Sequence, residues 1–113
     1  MSDFAMLYRG RDLSGSPEQV QKHLDKWYAW FKEMTAKGQI TNPGQPLEDG
    51  GSVVKGKQKT IHDGPYAEAK DVVAGFTLIK APNLDAAIEI AKGCPILDVG
   101  GSVEVRPLRE MHK

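Results

Sequence analysis

The stretch VVAGFTLIKA, from Val72 to Ala81, is the clearest β-strand in the chain. Successive side chains of a strand point to opposite faces of its sheet, and both faces of this strand are largely apolar. One face carries Val72, Ala74, Phe76 and Leu78, and the other carries Val73, Thr77 and Ile79. The two helices that the chain can form cover only one face of an antiparallel sheet. We therefore predict that a second copy of the chain covers the other face, with a bound apolar ligand as the alternative.

The first helix is predicted from a strong start signal. Ser16 is suited to the N-cap, Pro17 to the first helical position, and Gln19 to closing a capping box. We expect the helix to run to Lys37 and to end at Gly38, which favours the left-handed conformation of a helix terminus. Its apolar stripe is predicted to comprise Val20, Leu24, Trp27, Phe31 and Met34, flanked by Tyr28 and Trp30.

The rest of the chain predicts a second helix and further strands. Asn83 is expected to cap the helix, which ends at Gly93 and turns inward the side chains of Leu84, Ala87, Ile88 and Ala91. Extended segments are predicted at Phe4–Arg9, Gln39–Pro46, Ser52–Ile61 (bent at Gly56) and Val103–Leu108. Two strand-helix-strand units with an added hairpin indicate an α+β, ferredoxin-like antiparallel sheet with two helices on one face. Residues 1–113 are predicted to form a single domain.

Composition excludes several functional classes. The chain has 113 residues with 15 basic and 15 acidic side chains, hence no net charge, which disfavours direct nucleic-acid or membrane-surface binding. It contains no apolar run that would span a bilayer and no signal-peptide pattern. Cys94 is the single cysteine, so no intrachain disulfide can form, and a reducing cytoplasm is predicted. Neither a phosphate-binding glycine loop nor metal-ligand spacing is present, and we predict no cofactor.

The runs DGPYAEAKD at 63–71, VVAGFTLIKA at 72–81, NLDAAIEIAKGCP at 83–95 and VEVRPL at 103–108 resemble the YCII-related family. The resemblance is to the subgroup named for its DGPF motif, with Tyr66 in place of the Phe. It implies a ferredoxin-like subunit that pairs into a dimeric α+β barrel. It also implies a genomic link to extracytoplasmic-function sigma factors. Some relatives carry an acid–base His in the first helix, but that position falls near Trp27 here, so the role does not transfer to His23.

The segment from His62 to Lys70 is the candidate functional site. A histidine beside a carboxylate suits general acid–base chemistry, so His62 and Asp63 are candidate catalytic residues. Adjacent strand residues point to opposite faces, so the two share a site only if the chain bends at Gly64. The alternatives are a solvent-facing His62 and an Asp63 that braces its own turn.

Other candidate ligand-binding residues are Tyr66, Glu68, Lys70 and His23. In extended structure Tyr66, Glu68 and Lys70 share a face and would hold a polar ligand, or Glu68 and Lys70 form a simple surface ion pair. His23 lies within the apolar arc of the first helix, where a boundary residue with one hydrogen bond is the alternative. Cys94 is expected to be a buried residue rather than a nucleophile.

Two functions follow from these features. The first is a small-molecule site, for binding or for proton-transfer, isomerisation or hydrolysis chemistry, in the cleft of a homodimer. Asp63 would be base or orienter, His62 the proton carrier, Lys70 the anion clamp and Glu68 its orienting partner. The second is a non-catalytic accessory or regulatory protein, associated with a sigma factor. Enzymatic activity is left open by the sequence.

Overall fold

The computed structural model of the chain describes residues 2–10, 14–64 and 71–111. In chain order its elements are strand β1 (Ser2–Arg9), helix α1 (Pro17–Ala36), strands β2 (Ile40–Asn42), β3 (Gly51–Lys55), β4 (Thr60–Gly64) and β5 (Val73–Ala81), helix α2 (Leu84–Ala91), a 3-10 turn (Pro95–Val99) and strand β6 (Ser102–Pro107).

Four strands form one antiparallel sheet in the order β2-β5-β1-β6, and β3 pairs with β4 as a separate hairpin. Helix α1 therefore connects β1 to β2 across β5, which lies between them in the sheet. Helix α2 likewise connects β5 to β6 across β1. This is the ferredoxin-like order that the two strand-helix-strand units predict, and the mixed α+β class is confirmed.

The core lies between the helices and one face of the sheet. Met6 and Ile79 are fully buried in the two central strands, and Trp30 and Met34 of α1 and Ala87 and Ala91 of α2 pack against that face. On the opposite face the apolar side chains of Leu7, Phe76 and Leu78 are only half-buried. The strand that decides the fold thus has one covered and one uncovered apolar face. We call the second the open face, comprising Ala5, Leu7, Arg9, Ala74, Phe76, Leu78, Glu104 and Arg106.

The start of α1 is as predicted. Ser16 caps the helix, its side chain accepting a hydrogen bond from the Gln19 backbone N–H, while the Gln19 side chain accepts one from the Ser16 backbone N–H. Gly38 follows the helix with φ +69°. The predicted stripe needs correction, because Trp30 is central rather than flanking and Tyr28 is exposed. With 3.6 residues per turn, a stripe formed by Trp27, Trp30, Phe31 and Met34 leaves Tyr28 about one-sixth of a turn beyond its edge at Phe31.

Two further predictions need adjustment, and a third is confirmed. In α2 Ala87 and Ala91 are buried as expected, but Leu84 and Ile88 are exposed, because they face the sheet edge at β6 rather than its centre. The predicted strand at Gln39–Pro46 shrinks to β2 and one bridge between Pro46 and Gly75. The predicted bend at Gly56 is confirmed as the turn of the β3–β4 hairpin.

Candidate functional site

An arginine is fixed on the open face at a β-bulge. The β1–β5 register shifts between Tyr8 and Arg9, and such bulges re-aim a side chain and are frequent beside active sites. The Arg9 Nε and Nη2 donate hydrogen bonds of 3.1 and 2.8 Å to Oε1 of Glu104, and Nη1 donates one of 2.6 Å to the carbonyl of Asp71. The Arg9 side chain of β1 is thereby held by Glu104 of β6 and by Asp71, the residue that ends the DGPYAEAKD motif.

The surroundings of this ion pair are apolar on one side and polar on the other. Leu7 is on the same face of β1 as Arg9 and is opposite Phe76 of β5. On β6, Arg106 approaches the other carboxylate oxygen of Glu104 at 3.8 Å. The side chains of Arg9 and Glu104 are 29% and 40% exposed, so the pair is partly shielded from solvent, unlike a fully exposed surface ion pair. The arrangement places one fixed guanidinium at the rim of an apolar surface.

The predicted catalytic pair is placed on the hairpin. His62 is opposite Val53 and Asp63 is opposite Ser52 in an unbroken β4 that continues to Gly64. Both side chains are exposed, and successive positions of a regular strand point to opposite sides. The bend that a shared site requires is absent up to Gly64, so β4 does not bring His62 and Asp63 together.

Of the other candidate site residues, the structure describes only His23. Tyr66, Glu68 and Lys70 lie outside the described residues. His23 is half-buried on α1, where its Nε2 accepts a 3.0 Å hydrogen bond from Trp27 Nε1. This is the boundary role with one hydrogen bond, and it places His23 on the helix side of the sheet, away from Arg9.

Two buried side chains, Cys94 and Tyr8, carry groups that could react if they were ionised. Burial raises the pKa of the Cys94 thiol to about 12, although a backbone hydrogen bond from Ile96 opposes the shift. Burial also raises the pKa of Tyr8 well above its usual value, and its hydrogen bond to Thr77 offsets only part of the effect. Both groups are therefore protonated near neutral pH, and neither is an activated nucleophile.

Arg9 and Glu104 were missed at the level of sequence. Arg9 ends an apolar strand and Glu104 alternates with Val103 and Val105, which is also the pattern of an ordinary solvent-facing edge. The signal that identifies them is three-dimensional, because they are far apart in the chain and meet only once β1 and β6 pair. Among the described residues no group of three His, Cys, Asp or Glu side chains is placed to hold a metal ion. None of the helices formed by these residues has both the length and the apolar character that spanning a bilayer requires.

The fold and site define a small α+β domain with an antiparallel sheet that is covered on one face. The chain matches the YCII-related domain over residues 3–112 and belongs to that family. An uncharacterised protein, R00369 of Rhizobium meliloti (strain 1021), is 43% identical over 49 residues, which span 42% of this chain and 40% of that protein.

A solved structure is also similar to the chain. It is 5-chloro-2-hydroxyhydroquinone dehydrochlorinase (TftG) from Burkholderia phenoliruptrix AC1100, in complex with 2,5-dihydroxybenzoquinone. The sequence identity is 18%, the TM-score is 0.47, and the match covers 98% of this chain and 95% of that one.

Proposed function

We propose that this protein binds a small organic anion on the open face of the sheet and that Arg9 contacts the anionic group. The observation that carries the proposal is the fixed, largely shielded Arg9 guanidinium beside an apolar surface. Ligand sites are commonly apolar with a few placed polar groups. Here the apolar body of a ligand would lie on Leu7 and Phe76, and its charged group would reach the guanidinium.

Arg9 retains donors for such a ligand. A guanidinium has five N–H donors in a planar fork, and its three bonds to Glu104 and Asp71 leave two of them uncommitted among the described residues. Hydrogen bonds between charged partners are about twice as strong as neutral ones. The Glu104 carboxylate fixes the fork in place, while Arg106 beside it keeps the cluster net positive. The site thus favours an anion over a neutral ligand of the same shape.

Residues of the His62–Lys70 segment are proposed to complete the site. The segment begins in strand β4 and is followed directly by Asp71, whose carbonyl accepts a hydrogen bond from Arg9. We propose Lys70 as a second cation for the anion, with Glu68 as its orienting partner and Tyr66 as an apolar contact. If the site is catalytic, Asp63 or His62 acts singly, because β4 points them to opposite sides. His23 lies outside this proposed site.

A second copy of the chain is proposed to cover the open face and to close the cleft. The support is physical, since half-buried Leu7, Phe76 and Leu78 form a continuous apolar surface on an antiparallel sheet. Sheets that pack face to face exclude water from such surfaces. Native mass spectrometry tests this step: Phe76→Asp is expected to reduce the population of dimers, and an unchanged mass distribution would contradict it.

Two fluorescent probes test the anion site. Anilinonaphthalene sulfonate is an aromatic anion, and N-phenyl-1-naphthylamine presents similar rings without the charge. Arg9→Gln is expected to weaken binding of the anionic probe about tenfold, because a charged hydrogen bond contributes about 1.5–3 kcal/mol. Binding of the neutral probe should change less than twofold. Lys80→Gln is the matched control, since Lys80 is an exposed cation on the same sheet face. Equal loss for both probes would refute an anion-specific role for Arg9.

One observation favours the alternative of an accessory protein. Val54 and Ile61 face each other on the hairpin and are 66% and 74% exposed, and such apolar pairs are often protein contacts. We propose the hairpin as the contact surface if a sigma factor is the partner. A pull-down with the sigma factor encoded beside the gene tests this, with Val54→Ser/Ile61→Ser as the variant. Absence of a complex at micromolar concentrations would contradict the accessory role.

A further inference from the structure

Strand β6 is an edge of the four-stranded sheet in the part of the chain that the structure describes. The Leu108 backbone N–H donates a 3.0 Å hydrogen bond to the Asp3 carbonyl, and the β1–β6 register continues inward from that pair to Met6 opposite Val105. Backbone groups alternate in direction along an antiparallel strand. The N–H and C=O groups of Val105 and Val103 therefore point away from β1, toward the free edge.

An apolar groove lies beside this edge. It has a volume of about 360 Å³ and is lined by Leu84 and Ile88 of α2, Leu97 of the 3-10 turn, and Val103 and Val105 of β6, together with Ala91 and Lys92. Leu84, Ile88 and Leu97 are exposed. Unpaired backbone groups and exposed large apolar side chains thus occur side by side, and one additional strand at this edge would cover both.

We propose that the occupant is a second copy of this chain, whose β6 pairs antiparallel with β6 about a two-fold axis through the Val105 pair. In this register the two Val105 residues exchange both backbone hydrogen bonds. Each Val103 N–H donates to the Pro107 carbonyl of the other copy, and Pro107 has no N–H of its own to leave unpaired. Pro107 therefore ends the pairing without a lost donor. The backbone pairing at this edge does not involve Leu7, Phe76 or Leu78 of the open face, whereas Glu104 and Arg106 belong to both surfaces.

Charge selects this register over the neighbouring one. With Val105 at the axis, Glu104 of each copy is opposite Arg106 of the other, on the open-face side. If one β6 slipped by one residue relative to the other, side chains from opposite faces of the sheet would be paired. If the two-fold axis instead passed through Glu104, the Glu104 side chains of the two copies would be opposite each other. Opposite charges directly across antiparallel strands stabilise a pair, whereas like charges destabilise it. The Glu-Val-Arg run of β6 is thus self-complementary only about Val105.

Cysteine cross-linking tests the register. Directly opposite residues have Cα atoms about 5.5 Å apart, within the range of a disulfide. In a Cys94→Ala background, Val105→Cys is expected to form covalent dimers under mild oxidation. Ser102→Cys is the matched control, because its two copies would be about 20 Å apart in this register. Comparable yields from both positions would overturn the proposal.

Charge reversal tests the interface without relying on cross-linking. Arg106→Glu places like charges across the axis and is expected to weaken self-association at least tenfold in sedimentation equilibrium at low salt. Arg109→Glu carries the same charge change outside β6 and should leave association unchanged. Equal effects of the two variants would contradict the proposed pairing.

Two further measurements separate this interface from the open face and from misfolding. Phe76→Asp disrupts only the open face, so cross-linking at Val105→Cys should persist in that variant, and its loss would assign the contact to the open face. Hydrogen exchange on the unmodified protein should show the Val103 and Val105 amides becoming protected as protein concentration rises. Concentration-independent exchange at both amides would overturn the proposal even if the cysteine variants failed to fold.

Discussion

The Tyr8 hydroxyl donates a 2.6 Å hydrogen bond to Oγ1 of Thr77 across the two central strands, and the Thr77 hydroxyl donates one of 3.0 Å to the Pro43 carbonyl. Tyr8 and Thr77 are both buried. Thr77→Val keeps the shape but leaves the Tyr8 hydroxyl without its acceptor, so we expect a loss of about 1–3 kcal/mol in the free energy of unfolding. Urea denaturation of the purified variant measures this.

The double variant Tyr8→Phe/Thr77→Val is the control for this prediction. Removing both partners leaves no unsatisfied hydroxyl, so the double variant should be less destabilised than the sum of the single variants. Additive losses would show that the two hydroxyls do not interact in solution.

The same tyrosine predicts how stability depends on alkaline pH. Burial raises the pKa of Tyr8 in the folded state, above the value of about 10 for an unfolded tyrosine. The folded state therefore keeps the proton that the unfolded state releases. The contribution of protonated Tyr8 to the free energy of unfolding is therefore fully present below pH 10. Above pH 10 it decreases by up to about 1.4 kcal/mol per pH unit.

Unfolding free energies of the unmodified protein and of Tyr8→Phe between pH 9 and 11 test this relation. The unmodified protein should lose stability relative to Tyr8→Phe as pH rises. Tyr28→Phe is the control, because Tyr28 is exposed and its removal should leave the slope unchanged. Parallel profiles for the unmodified protein and Tyr8→Phe would contradict a raised pKa.

The fold was largely predictable because its determinants are local in the sequence. Ser16 and Gln19 fix the start of α1, Asn83 caps α2, and the apolar run of β5 requires a central strand. The errors arose where tertiary placement decides exposure. Leu84 and Ile88 have helical core spacing, yet they face the groove at the β6 edge because β6 is the last strand of the sheet.

The candidate site was less predictable for a related reason. Local sequence identified His62 and Asp63 as a pair, but the register of β4 separates their side chains. The Arg9–Glu104 pair depends on strand pairing between opposite ends of the chain and on a bulge. Neither long-range strand pairing nor a bulge has a signature in a single sequence. The DGPYAEAKD motif is visible in the sequence, and its last residue, Asp71, does lie beside Arg9.

The capping box predicts a measurable contribution to stability. Ser16→Ala removes the side chain that accepts from the Gln19 backbone N–H and is expected to lower the free energy of unfolding by about 1 kcal/mol. Gln19→Glu retains the reciprocal acceptor and adds a negative charge at the helix N-terminus, so it should be neutral or stabilising. Thermal unfolding followed by circular dichroism at 222 nm compares them. A Ser16→Ala variant as stable as the parent would contradict the contribution of the box.

The buried cysteine is expected to be inert in the native state. With a pKa of about 12, roughly one Cys94 in ten thousand is a thiolate at pH 8, and burial blocks access as well. Iodoacetamide should therefore leave the native protein unmodified over hours and modify it within minutes in concentrated urea. Ser102→Cys in a Cys94→Ala background gives the exposed reference rate. Native alkylation of Cys94 at that reference rate would contradict its burial.

Two glycines with left-handed backbone provide a matched pair for testing how the loop after β2 packs. Gly44 has φ +70°, and a Cβ there would overlap the Phe76 carbonyl oxygen, whereas Gly56 has φ +76° and no neighbour within 4 Å. Gly56→Ala should lower the free energy of unfolding by only about 1–2 kcal/mol, the cost of a left-handed backbone for a residue with a Cβ. Gly44→Ala should have the same backbone cost and should lower the free energy of unfolding by about 1–3 kcal/mol more, because the added methyl group overpacks the loop against β5. Urea denaturation of the two variants measures the difference. Equal losses would mean that the loop moves off β5 at little cost, and the Thr77–Pro43 hydrogen bond would then contribute little to holding it there.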